Sequence, residues 1–294
     1  MKRLLVLALF FLTAPTWAEP LNVVATTSSM GMLARTVGGA QVKVMELASP
    51  QRDAHMMQAR PSMMRALRDA NLVVAVGAEL EVGWLPAALR GAANSAIMPG
   101  ASGYFEAAAQ VPLLEVGQLA DRARGDVHPA GNPHVNLDPV RMATIARMLA
   151  ERLAQLDAAH ATDFRQRAND FVTAVAAKAP VWKQRAAGSS GVVTYHKDAL
   201  YLMAFLGVTY VGTLEPVPGI PPTASHLQAL AARLKGTRGT IIHTPYQPPA
   251  GAEKLASQTG WRVVELPIDP PAGSDAQGYY ALIDRWVEAI SATR

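Results

Sequence analysis

An unbroken apolar run, Leu4 to Leu12, opens the chain behind Met1-Lys2-Arg3 and ahead of Thr13-Ala14-Pro15-Thr16-Trp17-Ala18. A basic start, a hydrophobic stretch and small residues at minus three and minus one, Thr16 and Ala18, make a cleavable export signal over residues 1–18. The run is shorter than the roughly 20 residues a membrane span needs. Beyond it, short β-branched runs alternate with segments of helical period. Leu21 to Ala25, Val42 to Leu47 and Leu72 to Gly77 predict strands. Met30, Leu33, Ala34 and Val37 share one face of a helix that Thr26 to Ser29 can cap and Gly38-Gly39 stops, and a second helix is expected from about Ser62 to Ala70. Strand, helix, strand, helix, strand is the pattern of an open parallel sheet, and Leu113 to Val116 reads as its fourth strand.

A turn-rich segment, Gly125 to Pro139, ends at Asp138-Pro139, a carboxylate cap followed by proline in the first turn of a helix. Ile145, Leu149, Leu153 and Leu156 recur on one side of that helix. Helical character resumes from Ala161 to about Arg185, with a stripe of Phe164, Phe171, Val175 and Trp182 that Pro180 is expected to kink or interrupt. Past Gly188-Ser189-Ser190 the strand and helix rhythm restarts: strands at Gly191 to Tyr195, Val208 to Val211, Thr240 to Ile242 and Arg262 to Leu266, helices at Leu200 to Leu206, Leu227 to Leu234 and Ala252 to Ser257. The expected fold class is α/β, two lobes each with a mainly parallel sheet flanked by helices, joined by a long rigid helix. The divisions are 19–158 for the N-terminal lobe, 159–188 for the linking helix and 189–294 for the C-terminal lobe. Ligands of such sheets lie at the carboxyl ends of the strands, here the crevice between the halves.

Composition narrows the class. There is no cysteine, so no disulfide framework is available and the core must carry stability. No thiol follows the signal to take a lipid anchor, which makes the periplasm the expected compartment. With Lys2 and Arg3 removed the 27 basic residues become 25 against 23 acidic ones, too balanced for a nucleic-acid surface.

Of the seven histidines, His55, His134 and His196 end or follow expected strands among proline, glycine and aspartate. His226 and His160 better fit the ordinary structural histidine, satisfied by one hydrogen bond. Three imidazoles from separate loops plus one carboxylate make a nitrogen-rich shell suited to a borderline-soft divalent ion such as zinc. The spacing is no local motif, so on residues alone structural or solvated histidines compete with that reading. The carboxylate has two sources, Asp269 directly after the last expected strand and Glu215 after another. Asp198 is placed to accept a hydrogen bond from an imidazole and fix its tautomer.

Four blocks then carry a resemblance. The first is Asp53-Ala54-His55, Arg60-Pro61-Ser62 and Leu67 to Val74, and the second is Gly77-Ala78-Glu79-Leu80-Glu81-Val82-Gly83-Trp84-Leu85. The third joins Gly125-Asp126-Val127-His128-Pro129 to Gly131-Asn132-Pro133-His134-Val135-Asn136-Leu137-Asp138-Pro139. The last is Tyr195-His196-Lys197-Asp198-Ala199 to Gly207, followed by Glu215 to Pro222. In this order, over nearly all of the mature chain, they resemble the periplasmic metal-binding solute-binding proteins of zinc and manganese ABC importers, called cluster nine. The resemblance implies two α/β lobes joined by a stiff helix and a divalent ion held by residues matching His55, His134, His196 and Asp269. It also implies delivery of that ion to the membrane permease of an ABC importer. Histidine at the third of these positions resembles zinc-associated members, whereas manganese-associated ones tend to carry glutamate there, as the harder ion favours oxygen.

The chain departs from the family's usual pattern at Gln58, where glutamate is common, and at Asn136, where tryptophan is. His243-Thr244-Pro245-Tyr246 stands where close relatives have Glu-Pro-Tyr, so His243 joins Glu215 as a rival fourth ligand. The expectation is a monomer that captures zinc as transported ligand, with no catalytic role. Manganese is the alternative ion. A zinc-dependent hydrolase, with Glu79 or Glu215 as general base, is the alternative of another class.

Overall fold

Strands β1 (Leu21–Ala25), β2 (Val42–Glu46), β3 (Leu72–Ala75) and β4 (Tyr104–Glu106) pair in parallel in the order β2-β1-β3-β4. The computed structural model describes residues 19–117 and 128–292; the expected signal at 1–18 lies outside them, as do Gly125, Asp126 and Val127. A second parallel sheet follows in the order β6-β5-β7-β8, from β5 (Gly191–Thr194), β6 (Tyr210–Thr213), β7 (Gly239–His243) and β8 (Arg262–Glu265). In both sheets the chain order reverses beside the first strand. That opens a crevice at the strands' carboxyl ends, and His55, His196 and Asp269 follow β2, β5 and β8.

Helix α1 (Ser28–Gly38) starts where the Thr27 hydroxyl accepts from the Met30 N–H, and α2 (Pro61–Arg68) and α3 (Leu85–Ala92) each carry proline in the first turn. Asp138 caps α4 (Pro139–Leu156) by accepting from Val140 and Arg141. The linking helix α5 (Ala161–Ala186) runs through Pro180 uninterrupted. Pro180 and Ala176, four residues earlier, are both exposed, so the carbonyl deprived of its partner faces water. In the second half α6 (Leu200–Leu206), α7 (Ala224–Leu234) and α8 (Ala250–Thr259) flank the sheet. A final helix, α9 (Ala276–Ser291), which the sequence reading omits, buries Tyr279, Ile283, Trp286 and Ile290.

One strand expectation is corrected. The fourth strand of the first sheet is Tyr104–Glu106, pairing with β3, and Leu113 to Val116 is loop. Leu113 and Leu114 are half-buried against the core, while the Leu114 N–H is satisfied by the Tyr201 hydroxyl at 2.9 Å rather than by a strand.

The central strands β1, β3, β5 and β7 are largely buried on both faces because each face meets a different core. Val23, Leu72, Val74, Val192 and Ile242 look into one large cluster shared by both halves, together with α1, α4, α5, α6 and α9. Val24, Val73 and Ala75 pack instead on α2 and α3, and Val193 and Ile241 on α7 and α8. In the shared cluster Phe171 of α5 stacks on Tyr280 of α9, with ring centroids 5.8 Å apart. Among the described residues no helix is long and apolar enough to cross a membrane.

Candidate metal centre

His55 sits in the loop after β2. The Trp84 indole N–H donates to the Ala54 carbonyl at 2.8 Å, and Trp84 is itself fully buried, so a core residue fixes the loop one position before the ligand. Asp53 turns back on the same loop, accepting from the His55 backbone N–H at 2.9 Å and lying 2.8 Å from its Nδ1. Burial pushes the Asp53 carboxyl up, but the hydrogen bonds and charge of His55 outweigh it and bring the group below the ordinary carboxylate range.

His134 lies in the turn that precedes α4. Gly131 in that turn has φ of +121°, and a Cβ there would come within 2.7 Å of the Leu113 Cβ, so only glycine fits. The Asn132 carbonyl oxygen of the side chain accepts from the His134 N–H at 2.9 Å, and its amide donates to the Lys197 carbonyl at 2.9 Å. His134 is buried and its Nε2 has no hydrogen-bond partner. Burial, and next its histidine neighbours, hold its pKa well below 6.5, which keeps the ring neutral and its lone pair available.

His196 lies two residues past the end of β5. Glu215, after β6, lies 2.8 Å from His196 Nδ1 and also accepts from the Gly219 N–H at 3.1 Å. With Nδ1–H directed at a carboxylate, the lone pairs of His55 and His196 fall on Nε2. The three rings come together: centroids are 5.1 Å apart for His55 and His134, 5.2 Å for His134 and His196, and 5.5 Å for His55 and His196. One nitrogen from each lies within 4.8 Å of the others. Imidazoles that share a tetrahedral zinc, with Zn–N of about 2.0 Å, have centroids about 5 Å apart. The donor set therefore fits a zinc-sized ion, and a cavity of about 20 Å³ beside His55 and His134 has room for a single small guest.

The other expected residues take different places. Asp269 lines that cavity but falls outside the three-histidine set, its Oδ1 accepting from the Ser29 N–H at 3.1 Å and bonded to the Ser29 hydroxyl. Burial raises its pKa, with the Ser29 bonds opposing. Glu215 orients His196, and His243 Nδ1 is within 3.0 Å of the Thr244 carbonyl. Burial lifts Asp198 to about 6, and Gln247 donates to it at 3.4 Å. Glu79 lines a separate cavity with Glu106 and Tyr104. His226 Nε2 lies 2.9 Å from the Thr213 carbonyl and His160 Nδ1 2.6 Å from Asp157, both remote from the cluster.

Sequence reasoning missed the clasp around Asn136, whose side-chain amide donates to the Ile268 carbonyl at 2.7 Å while its backbone carbonyl accepts from the Tyr279 hydroxyl at 2.9 Å. That gives the departure at position 136 a purpose, since it ties one half's turn to the other's last loop. His128 also joins the group, its ring 5.3 Å from that of His55; the only signal was its place in the third block.

Residues 23–293 match the family described as zinc-uptake complex component A, periplasmic, abbreviated ZnuA. The chain belongs to the ZnuA family. The fold agrees with solved structures. A crystal structure of ZnuA superposes with a TM-score of 0.77 at 19% identity, covering 92% of this chain and 100% of that one. FpvC from Pseudomonas aeruginosa, solved in complex with Mn2+, gives 0.75 at 21% identity, covering 93% and 98%. A zinc-bound variant of AdcAII from Streptococcus pneumoniae gives 0.73 at 18% identity, covering 92% and 99%. This ZnuA-family chain thus shares with them the two parallel sheets and the linking helix.

Proposed function

We propose that this chain captures zinc in the periplasm through His55, His134 and His196 and delivers it, as a monomer, to the permease of an ABC importer. The observation that carries the reading is the convergence of three imidazole nitrogens within 4.8 Å of one another, from three separate loops, in a ZnuA-family chain. Zinc is favoured over manganese because the donors are nitrogen, which suits the softer ion, whereas manganese favours oxygen. Zinc arrives as cargo and no bond is made or broken on a substrate. A zinc-dependent hydrolase finds no support: Glu215 is engaged with His196 and Gly219, and Glu79 faces another cavity. The division into an N-terminal lobe over 19–158, a linking helix over 159–188 and a C-terminal lobe over 189–294, behind a signal cleaved near Ala18, belongs to the same proposal.

The test is a titration of chelator-stripped protein with zinc and with manganese. One zinc per chain and a marked thermal stabilisation are expected, since a ligand at about 100 times its Kd adds about 2.7 kcal/mol to the folded state. His134→Ala should abolish both. No uptake of either ion would refute the function, and a preference for manganese would refute the choice of zinc. Three imidazoles leave one place in a tetrahedral shell, and Asp269, which lines the cavity beside His55 and His134, is the side chain proposed to fill it.

A further inference from the structure

We infer that Asn132 is a positioning residue that fixes the spacing of His134 and His196, and that this spacing favours a four-coordinate ion over one that needs six ligands. The inference rests on the reading of His55, His134 and His196 as the zinc site, and it names what sets the selectivity of that site.

Asn132 is 5% exposed, and all of its polar groups are engaged. Its backbone N–H donates to the Leu114 carbonyl at 2.8 Å, and its backbone carbonyl accepts from the Tyr201 hydroxyl at 2.7 Å. The side-chain oxygen accepts from the His134 N–H, and the side-chain amide donates to the Lys197 carbonyl, both at 2.9 Å. That amide also lies 3.4 Å from Glu115 Oε2, while Glu115 Oε1 takes the Lys197 ammonium. One short side chain thus grips the backbone of His134 and, in the other half of the chain, the backbone of the residue that follows His196.

The pattern selects asparagine. The tip of the side chain must accept on one side and donate on the other, which an amide does. An ionised aspartate would keep the bond to the His134 N–H, lose the donor to Lys197 and set a second carboxylate beside Glu115. Alanine would leave a buried N–H and a buried carbonyl without this partner. The strut is itself anchored: Tyr201 is fully buried in α6, and its hydroxyl accepts from the Leu114 N–H at 2.9 Å while donating to Asn132.

The His134 and His196 rings stand 5.2 Å apart, a separation that suits two ligands of one tetrahedral zinc. Manganese favours an octahedral shell, in which neighbouring ligands close from about 109° to about 90° and two further donors must enter. Two imidazoles whose backbones are held at a set distance resist that change of angle. Asn132 therefore disfavours the six-coordinate ion without touching either metal.

The test compares the chelator-stripped protein with Asn132→Ala and Asn132→Asp in competition titrations with zinc and with manganese. Visible absorption of the cobalt-loaded forms accompanies them, because tetrahedral cobalt absorbs strongly and octahedral cobalt weakly. In Asn132→Ala the zinc affinity should fall by about 10- to 100-fold, the usual cost of losing an outer partner of the ligands. Manganese affinity should change little, so the preference for zinc narrows by the same factor, and the cobalt bands should weaken. Asn132→Asp should follow the alanine variant, since it too lacks the donor to Lys197. Circular dichroism of the metal-free forms establishes folding, and Asn132→Asp decides the matter if the alanine variant fails to fold. An equal loss for both ions with an unchanged cobalt spectrum, or parental selectivity in Asn132→Asp, overturns the proposal. Failure of the parent to take up zinc would instead overturn the site itself.

Discussion

With Glu215 removed, His196 keeps its place after β5 but loses the acceptor that fixes its ring. Glu215→Ala is therefore expected to weaken zinc by about 10- to 100-fold without removing a ligand, and Glu215→Gln, which keeps an acceptor but no charge, to lie between. A competition titration reads both, and parental affinity in the alanine variant would contradict the role. Asp198 supplies a second test. Burial lifts its folded pKa to about 6 from 3.8, so the folded state holds this proton more tightly than the unfolded chain does. The resulting stability is complete below the unfolded pKa and is lost as pH rises through about 6. Metal-free Asp198→Asn should thus exceed the parent by about 1–3 kcal/mol at pH 7.5 and show no such gain at pH 3, as read by urea unfolding. The three histidines were legible in the sequence because imidazoles beside strand ends and turn residues have few structural duties. His128 was not, since it follows no strand and only tertiary folding brings it to His55. Asp53 was hidden for a similar reason: an acid two residues before a histidine is unremarkable until the loop curls to place it on Nδ1.

Among the elements, α5 tells most about what local pattern conveys. Its apolar stripe of Phe164, Phe171, Val175 and Trp182 was readable and all four are buried, but the expected break at Pro180 does not occur because that side of the helix faces solvent. Proline in a helix interior still forfeits a hydrogen bond at a cost of about 3 kcal/mol, partly offset by its restriction of the unfolded chain. Pro180→Ala should therefore raise stability by about 1–2 kcal/mol in denaturant unfolding, with zinc affinity unchanged. A destabilised variant would mean that the ring makes a contact the helix needs. The C-terminal helix α9 shows the opposite case: Tyr279, Ile283, Trp286 and Ile290 carry the helical period in plain view. The proline-rich stretch before them obscures it, yet the Trp286 indole N–H holds the Pro267 carbonyl at 2.8 Å, so α9 positions the very loop that carries Asp269. The fourth strand was misplaced because three residues pairing on one edge, Tyr104–Glu106, are too few to show an alternation.

For the molecule as a whole, the two α/β halves were legible from the restarted strand rhythm after Ser190, but their common core was not. Apolar strands announce that both faces are covered; nothing local says that the inner faces of both sheets meet the same cluster of α1, α4, α5 and α9. That arrangement predicts one cooperative unfolding transition, coincident by fluorescence and circular dichroism, moved upward as a unit by zinc. Two separable transitions would show that the halves fold independently. The common core also governs how an ion leaves. Swinging the halves apart like a jaw would bring Phe171, Trp182, Tyr279 and Trp286 toward water, each at a cost of about 1.5–3 kcal/mol if fully exposed, whereas the His55 loop carries none of them and the His134 turn is tied to Tyr279 by a single hydrogen bond to Asn136. Metal traffic is thus expected to run through the loops rather than through the core, and the dwell time of a captured ion becomes adjustable residue by residue at the loops, leaving the rest of the protein as it is.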